Sequence, residues 1–360
     1  MIAVSGRGGL IGWHLRTVLH AEGRPWIDVD LRTTSGPAAV RGLDAVDTAI
    51  HVAGISRGSD HDVRDGNVEL ARRFVSALDA AGARPRCLVY ANSGMRGTNP
   101  YTEGKSRAAE VLAAAAARWQ AEFVDLVIQN VFGEHGTPYH NGVTQTFCHR
   151  IARGERPTVD SDDVRTFVHA QDVAEALSGS IDQAELDRRG TTVSVPDLAR
   201  RITAQADVYR HGEIPALDSQ FERDLFNTYR SYASAIEPVH PLTASTDHRG
   251  TFTEIVRAHG GPGQTGVSTT APGVTRGDHF HRRKVERFVV VQGEARITLR
   301  RVLTDERRTI RVSGDRPVAV DMPTLWAHSL TNTGTTPLVT LFWTNELFDP
   351  ARPDTIQDPA

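Results

Sequence analysis

The sequence predicts a doubly wound α/β domain on a parallel sheet, followed by a smaller all-β domain. Three observations predict it. In the first half of the 360-residue chain, short apolar runs alternate with stretches of helical periodicity. A glycine-rich turn stands between the first apolar run and the first helical stretch. Beyond residue 251 the character changes to many short β-rich runs separated by turn residues.

Taken in order, residues 1–4 form a short apolar strand and 11–21 a helix. Residues 26–31, 49–52, 87–91 and 123–129 are further buried strands; 68–81 and the alanine-rich 106–119 are helices. The pattern weakens between 180 and 241, where 198–206 and 221–233 are helical. The β-rich part has strands over 289–291, 295–302, 309–312, 317–320 and 338–343. A chain this long suits two cores, and the boundary is placed near Pro241, giving domains 1–240 and 241–360.

Composition narrows the class. An apolar fraction of 39% and a charged fraction of 24% suit a globular protein. A net charge of −3 gives no sign of a nucleic-acid or acidic-membrane partner. Cys87 and Cys148 are the only cysteines, too few for a disulfide framework, and a cytoplasmic location is expected. No apolar run approaches a membrane span, and no leader pattern opens the chain.

Gly6-Arg7-Gly8-Gly9-Leu10-Ile11-Gly12 follows a strand and opens a helix. Gly6, Gly9 and Gly12 let the backbone turn tightly and approach a pyrophosphate, and the helix N-terminus offers free N–H groups. Asp30, at the end of the second strand, stands where a ribose-binding acid is expected, which favours NAD. Arg7 and Arg32 instead suit a 2′-phosphate, which favours NADP; the choice stays open. Ala53 and Gly54, after the third strand, leave room for adenosine or ribose. Asn67 begins the next helix, as a cap or a ligand contact.

Tyr101 and Lys105 share one helix face at i,i+4. A phenol ordinarily titrates near ~10, and an ammonium beside it stabilises the phenolate, tuning the tyrosine as a proton donor to a carbonyl. Ser93 ends the preceding strand and is the candidate hydrogen-bond partner of the substrate oxygen, with Thr98 as substitute. These residues and the glycine loop resemble the extended branch of the short-chain dehydrogenase/reductase superfamily over residues 1–180, which implies a Rossmann-like fold. Asn130-Val131-Phe132-Gly133 resembles that branch's nucleotide-sugar loop. Arg165-Thr166-Phe167-Val168-His169 with Asp172 resembles a later segment, which implies that Arg165 meets a diphosphate; the alternative is an ion pair to Asp172 or a neighbour.

In the β-rich part, His279 and His281 lie at i and i+2, one strand face, with Glu286 five residues on and His328 distant. This nitrogen/oxygen set suits Zn, Fe, Mn, Ni or Co, with zinc the expected divalent metal. Gly273, His279, His281, Glu286 and Gly293 resemble the first motif of the cupin (jelly-roll) superfamily, and Pro323, His328 and Asn332 the second. The second motif's glycine is here Leu325.

The fusion itself is similar to bifunctional capsule enzymes of the CapF/WbjC type. The resemblance includes Phe221-Glu222-Arg223-Asp224-Leu225-Phe226-Asn227-Thr228-Tyr229 and Asn345-Glu346-Leu347-Phe348-Asp349-Pro350. It implies a cupin that epimerises C3 of a UDP-linked 4-keto-6-deoxy-2-acetamido sugar. It also implies a reductase that uses NADPH, with NADH the alternative, on the C4 ketone. The product would be a precursor of N-acetyl-L-fucosamine in surface polysaccharide. The epimerase base stays open, with Lys284 a candidate. A homodimer is expected. The rival readings are a single-activity reductase with a structural cupin and a nucleotide-sensing regulator.

Overall fold

A computed structural model describes residues 1–32, 42–95 and 97–360. By their contacts they form two units: Met1–Gly142 with Asp163–Ser194, and Val143–Asp162 with Val195–Ala360.

The first unit opens with β1 (Ile2–Ser5), α1 (Leu10–Ala21), β2 (Trp26–Asp28), β3 (Thr48–His51) and α2 (Asp60–Ala80). It continues through β4 (Cys87–Ser93), α3 (Pro100–Trp119) and β5 (Glu122–Ile128). These strands make a parallel sheet in the order β2-β1-β3-β4-β5. Strand alternation divides their apolar residues between two faces. Ala3, Ala49, Leu88 and Tyr90 pack with Phe74 and Leu78 of α2 and with Ala108 and Leu112 of α3. Ile2, Val4, Ile50 and Val89 pack with Leu15, Val18 and Leu19 of α1 and with α5 (Ala170–Leu177). The fold is therefore the doubly wound Rossmann-like one. Its strand order reverses between β1 and β3, where such sheets bind ligands at the carboxyl ends of the strands. A smaller sheet joins β6 (Asn130–Phe132), β7 (Val164–His169) and β8 (Thr191–Ser194), with α6 (Gln183–Arg189) before β8.

Two local expectations are corrected. β2 ends at Asp28, so Asp30 lies beyond the strand rather than closing it. Asn67 sits inside α2, whose true start is a capping box of Ser59 and Asp62. The buried Asn67 amide instead clamps the loop after β3, accepting from Ile55 N–H at 3.0 Å and donating to Ile55 carbonyl at 2.7 Å.

The second unit contains three helices and a barrel. The helices are α4 (Val143–Ala152), α7 (Val195–Arg210) and α8 (Gln220–Ile236). After β9 (Val239–Pro241), a hairpin of β10 (Ala244–Asp247) and β11 (Gly250–Thr253) precedes the main strands. These are β12 (Gln264–Thr270), β13 (Thr275–Phe280), β14 (Glu286–Gln292), β15 (Glu294–Arg301) and β16 (Arg307–Ser313). They continue as β17 (Val318–Met322), β18 (Trp326–Asn332), β19 (Leu338–Thr344) and β20 (Ile356–Gln357). Two five-stranded sheets result, β12-β19-β14-β17-β9 and β16-β15-β18-β13-β20, the sandwich of a cupin-type jelly roll. Ile297, Leu299, Val320, Met322, Leu330 and Leu338 fill its core.

Helices α7 and α8 group with this barrel, whereas the sequence boundary near Pro241 sets them with the first domain. A buried polar network is one cause. Asp321 of β17 pairs with Arg287 of β14 at 2.6 Å, with both side chains at most 1% exposed. The carboxylate also accepts from the Tyr209 hydroxyl of α7 at 2.8 Å. Arg287 donates in turn to the Gly212 carbonyl. Asp321→Asn leaves the buried guanidinium without its counter-charge and is expected to destabilise this unit by about 3–5 kcal/mol. Urea unfolding followed by tryptophan fluorescence checks this; a loss below ~1 kcal/mol would contradict it.

Leu325, where the second cupin motif has glycine, holds a φ of 64°. Such backbone costs a side-chain-bearing residue about 1–2 kcal/mol. The fully buried side chain and a 2.8 Å hydrogen bond from Leu325 N–H to the His281 carbonyl offset it. The turn thus survives the departure from the motif.

Candidate functional site

The first site forms where β1 and β3 end. Gly6 has a φ of 78°, and a Cβ there would lie 2.5 Å from Ala53 N. At Gly12 a Cβ would stand 2.1 Å from the Gly6 carbonyl oxygen. Only glycine permits this approach of loop, helix and neighbouring strand. Gly9 is the N-cap of α1 and makes no side-chain cap, so the first-turn N–H groups keep no capping partner and suit an anion. Gly54 is backed by Asn67 Oδ1 and the Lys105 ammonium. Arg7 pairs with Asp28 at 2.8 Å, and Arg32 with Asp30 at 3.0 Å. The Arg32 hydrogen bonds hold the Asp30 carboxyl at about 2. The residues present thus fit a dinucleotide: a loop whose approach a Cβ at Gly6 or Gly12 would block, an uncapped helix start, and the ion pairs Arg7–Asp28 and Arg32–Asp30 at the end of the second strand.

Helix α3 positions the reacting pair. Asn99 caps it, accepting from the N–H groups of Tyr101 and Thr102 at 3.0 Å each, and Pro100 opens it. Lys105, 4% exposed, donates to the Ala91 carbonyl at 2.5 Å and lies 4.3 Å from the Tyr90 ring centroid. Burial lowers its pKa to about 7, with the charge of Asp125 opposing. Burial raises Tyr101, while a hydrogen bond with Ser93 lowers it. Ser93 therefore lies within reach of the Tyr101 hydroxyl despite the short Ser93–Tyr101 interval, Lys105 stands one turn further along α3, and Thr98 is exposed. Tyr90, the seat of the ammonium, was not singled out from sequence; a buried aromatic on a strand carries no signal of its own.

Of the expected sugar-nucleotide contacts, Asn130 donates to the Thr166 carbonyl at 3.0 Å. Arg165 pairs with Asp163 at 2.7 Å, not with Asp172, which Arg189 holds at 2.7 Å. Sequence reasoning also passed over Glu134. It is fully buried, with His169 Nε2 at 3.0 Å and His14 Nε2 at 3.9 Å. Burial would raise its carboxyl, but the His169 charge and hydrogen bond and the His14 charge hold it at about 2.

The second site lies in the barrel. His279 on β13, His281 just after it, Glu286 opening β14 and His328 on β18 place one ligand atom each within 4.8 Å of one another. His281 Nδ1 donates to the Asp354 carbonyl at 2.5 Å, and His328 Nδ1 to the Trp326 carbonyl at 3.4 Å. Both rings then turn Nε2 toward Glu286 Oε2, each at 3.1 Å. The His328 Nε2 is buried and lacks a well-directed hydrogen bond. The unsatisfied His328 Nε2, with two further imidazoles and a buried carboxylate around it, completes a nitrogen/oxygen donor set that fits a divalent metal. Burial and the two neighbouring imidazoles push His279 down to about 4, leaving it a neutral ligand. Glu286 would be raised by burial, but its contacts with His281 and His328 keep it ionised. Lys284 commits its ammonium to the Pro353 carbonyl and the Phe348 ring. Among the described residues, no helix is long and apolar enough to cross a membrane.

Comparison with known proteins agrees with both halves. The polysaccharide biosynthesis C-terminal domain family matches residues 245–356. A UDP-2-acetamido-2,6-beta-L-arabino-hexul-4-ose reductase of Pseudomonas aeruginosa is 29% identical over 98% of this chain and 97% of that protein. The capsular polysaccharide assembling protein CapF of Staphylococcus aureus superposes with a TM-score of 0.59 at 28% identity, covering 100% of this chain and 99% of that one. The UDP-glucose 4-epimerase of Thermotoga maritima shares the fold at a TM-score of 0.50 and 18% identity, covering 66% of this chain and 99% of that one. The NAD dependent epimerase/dehydratase family matches residues 2–195. With its glycine cradle and its Ser-Tyr-Lys cluster inside that match, the chain belongs to the NAD dependent epimerase/dehydratase family, whose cofactor is a nicotinamide dinucleotide.

Proposed function

We propose that this chain is a bifunctional enzyme of surface-polysaccharide precursor synthesis. It epimerises C3 of a UDP-4-keto-6-deoxy-2-acetamido-hexose in the barrel and reduces the C4 ketone in the 1–240 domain. The observation that most supports this reading is the pairing, in one chain, of the Ser93–Tyr101–Lys105 cluster with the His279–His281–Glu286–His328 cluster. The activity named for the Pseudomonas aeruginosa relative supports the substrate class.

In this reading Gly6, Gly9, Gly12, Ala53 and Gly54 hold the dinucleotide. Asp30 with Arg7 and Arg32 surround its ribose, the arginines favouring NADPH. Asn130 and Arg165 take the UDP-sugar. When bound, the nicotinamide supplies a hydride to the ketone carbon. Tyr101 gives its hydroxyl proton to the ketone oxygen, and Ser93 holds that hydroxyl in line. The Lys105 ammonium stabilises the phenolate that remains. In the barrel, a divalent cation supplies Lewis-acid stabilisation of negative charge on a carbonyl oxygen. The carbonyl-bound Nδ1 of His281 and His328 orient both rings for that charge.

The Lys105 pKa fixes a pH dependence. Its ammonium is present below about 7 and lost above it. The kcat/KM for ketone reduction reports groups of the free enzyme and is expected to fall as pH rises through about 7. A profile flat from pH 6 to about 9 contradicts the role given to Lys105.

The functional reading is tested by mass spectrometry and NMR of products from a panel of UDP-4-ketosugars with NADPH, with and without metal chelation. The expected product is reduced at C4 and inverted at C3, and chelation removes the inversion alone. A product with unchanged C3 configuration in the untreated enzyme contradicts the epimerase assignment.

A further inference from the structure

Two imidazoles of the barrel site have an orienting backbone carbonyl, and they find it in different ways. His328 donates to the carbonyl of Trp326, two residues upstream on its own strand, so there the strand itself carries the orienting group. His281 lies past the end of β13, and its orienting carbonyl belongs to Asp354, 73 residues away.

Asp354 is built to hold that position. Its backbone has a φ of 47°, unusual for a residue with a side chain, and it is 8% exposed. Its carboxylate accepts from three successive backbone N–H groups just after His281: Arg282 at 3.0 Å, Arg283 at 2.9 Å and Lys284 at 3.0 Å. Around it, β20 pairs with β13, setting Gln357 opposite His279 and Ile356 opposite Phe280. Asp358 N–H donates to the Asp278 carbonyl at 2.9 Å, and the Asp358 carboxylate pairs with Arg300 at 2.7 Å. One residue thereby fixes both the ring of His281, through its carbonyl, and the turn that carries the ring, through its carboxylate.

We propose that the segment 353–358 is a clasp on the cation site and that Asp354 is its positioning residue, setting the tautomer and direction of His281. The inference rests on the reading that His279, His281, Glu286 and His328 hold a divalent cation. An orienting partner of a metal-bound imidazole typically contributes 10–100-fold to metal affinity. Asp354→Ala frees the three N–H groups and lets the turn relax. Asp354→Asn keeps an acceptor oxygen on nearly the same frame.

The test is a Co(II) titration of the metal-free full chain against a competing chelator, with the visible absorption of the bound Co(II) recorded. Asp354→Ala is expected to bind Co(II) roughly 10–100-fold more weakly, with an altered absorption band, and Asp354→Asn to recover most of the loss. NADPH affinity, read by nicotinamide fluorescence, stays at the parent value in both variants, and a far-ultraviolet circular dichroism spectrum and tryptophan emission at parent values, with Trp326 and Trp343 in the barrel, show that the barrel is folded. Parent-like Co(II) affinity and spectrum in Asp354→Ala overturn the clasp while leaving the cation site standing. A parent chain that binds no Co(II), Zn(II) or Mn(II) overturns the cation site and the clasp with it. Should Asp354→Ala fail to fold, Asp354→Gly takes its place, since glycine also removes the carboxylate and tolerates the φ of 47°: a roughly 10–100-fold weaker Co(II) affinity supports the clasp, and parent affinity and spectrum overturn it.

Discussion

Tyr101→Phe is expected to slow NADPH-dependent ketone reduction by roughly 10²–10⁴-fold, the usual contribution of a positioned general acid. Phenylalanine keeps the ring that packs at the start of α3 and removes only the hydroxyl that meets Ser93. Lys105→Met is expected to lose a similar factor, because it deletes the ammonium seated between the Ala91 carbonyl and the Tyr90 ring. Tyr101→Phe should bind NADPH at the parent affinity, since the glycine cradle and the α1 N-terminus are untouched. Both variants should still exchange the C3 proton with solvent, because that chemistry is assigned to the barrel. Single-turnover reduction of a ketosugar already inverted at C3 gives the rate free of the other step. A rate within tenfold of the parent in Tyr101→Phe removes Tyr101 from the proton transfer.

His328→Ala carries the second large effect. The imidazole is 1% exposed, and its Nε2 faces Glu286 at 3.1 Å, so alanine removes one of four donors and leaves a buried carboxylate short of a partner. Lewis-acid stabilisation of an enolate-like charge is worth several kcal/mol, or roughly 10³-fold at about 1.4 kcal/mol per decade. Solvent deuterium incorporation at C3, followed by NMR without NADPH, should fall by that factor. Reduction of a ketosugar already inverted at C3 should stay near the parent rate. Unchanged deuterium incorporation shows that the four-residue cluster does not serve the exchange. Loss of reduction with an intact NADPH affinity shows that the two activities are not separable in the way proposed.

The sequence made the parallel sheet and the donors His279, His281 and Glu286 legible for the same reason: each depends on spacing along one strand or one turn. β1, β3 and the first part of β4 are buried on both faces and therefore appear as unbroken apolar runs. His279 and His281 declare a common face by their i,i+2 spacing. Helices α4, α5 and α6 run 10, 8 and 7 residues, too short for a helical period to stand out in the sequence. The start of α2 was written in the sequence as Ser59 followed by Asp62, a capping signal outweighed by the apolar period that begins later.

Partners chosen in three dimensions left no such trace. Arg165 takes Asp163 rather than Asp172 because Arg189 already holds the latter, together with Glu175 at 2.8 Å. The Glu134 cluster draws on residues 14, 134 and 169, each unremarkable in its own stretch. Asp354 is the extreme case: its carbonyl and carboxylate act on residues 281 to 284, 70 to 73 residues away along the chain.

The most direct test traces two hydrogens into one product. The parent enzyme is run on the UDP-4-keto-6-deoxy-2-acetamido sugar in D2O with NADPH, and in H2O with NADPH deuterated at the transferring position of the nicotinamide ring. The account predicts solvent deuterium at C3 in the first product and cofactor deuterium at C4 in the second, each at one position only. A C4 label with no solvent label at C3 would contradict it, leaving a reductase whose barrel does no chemistry on the sugar.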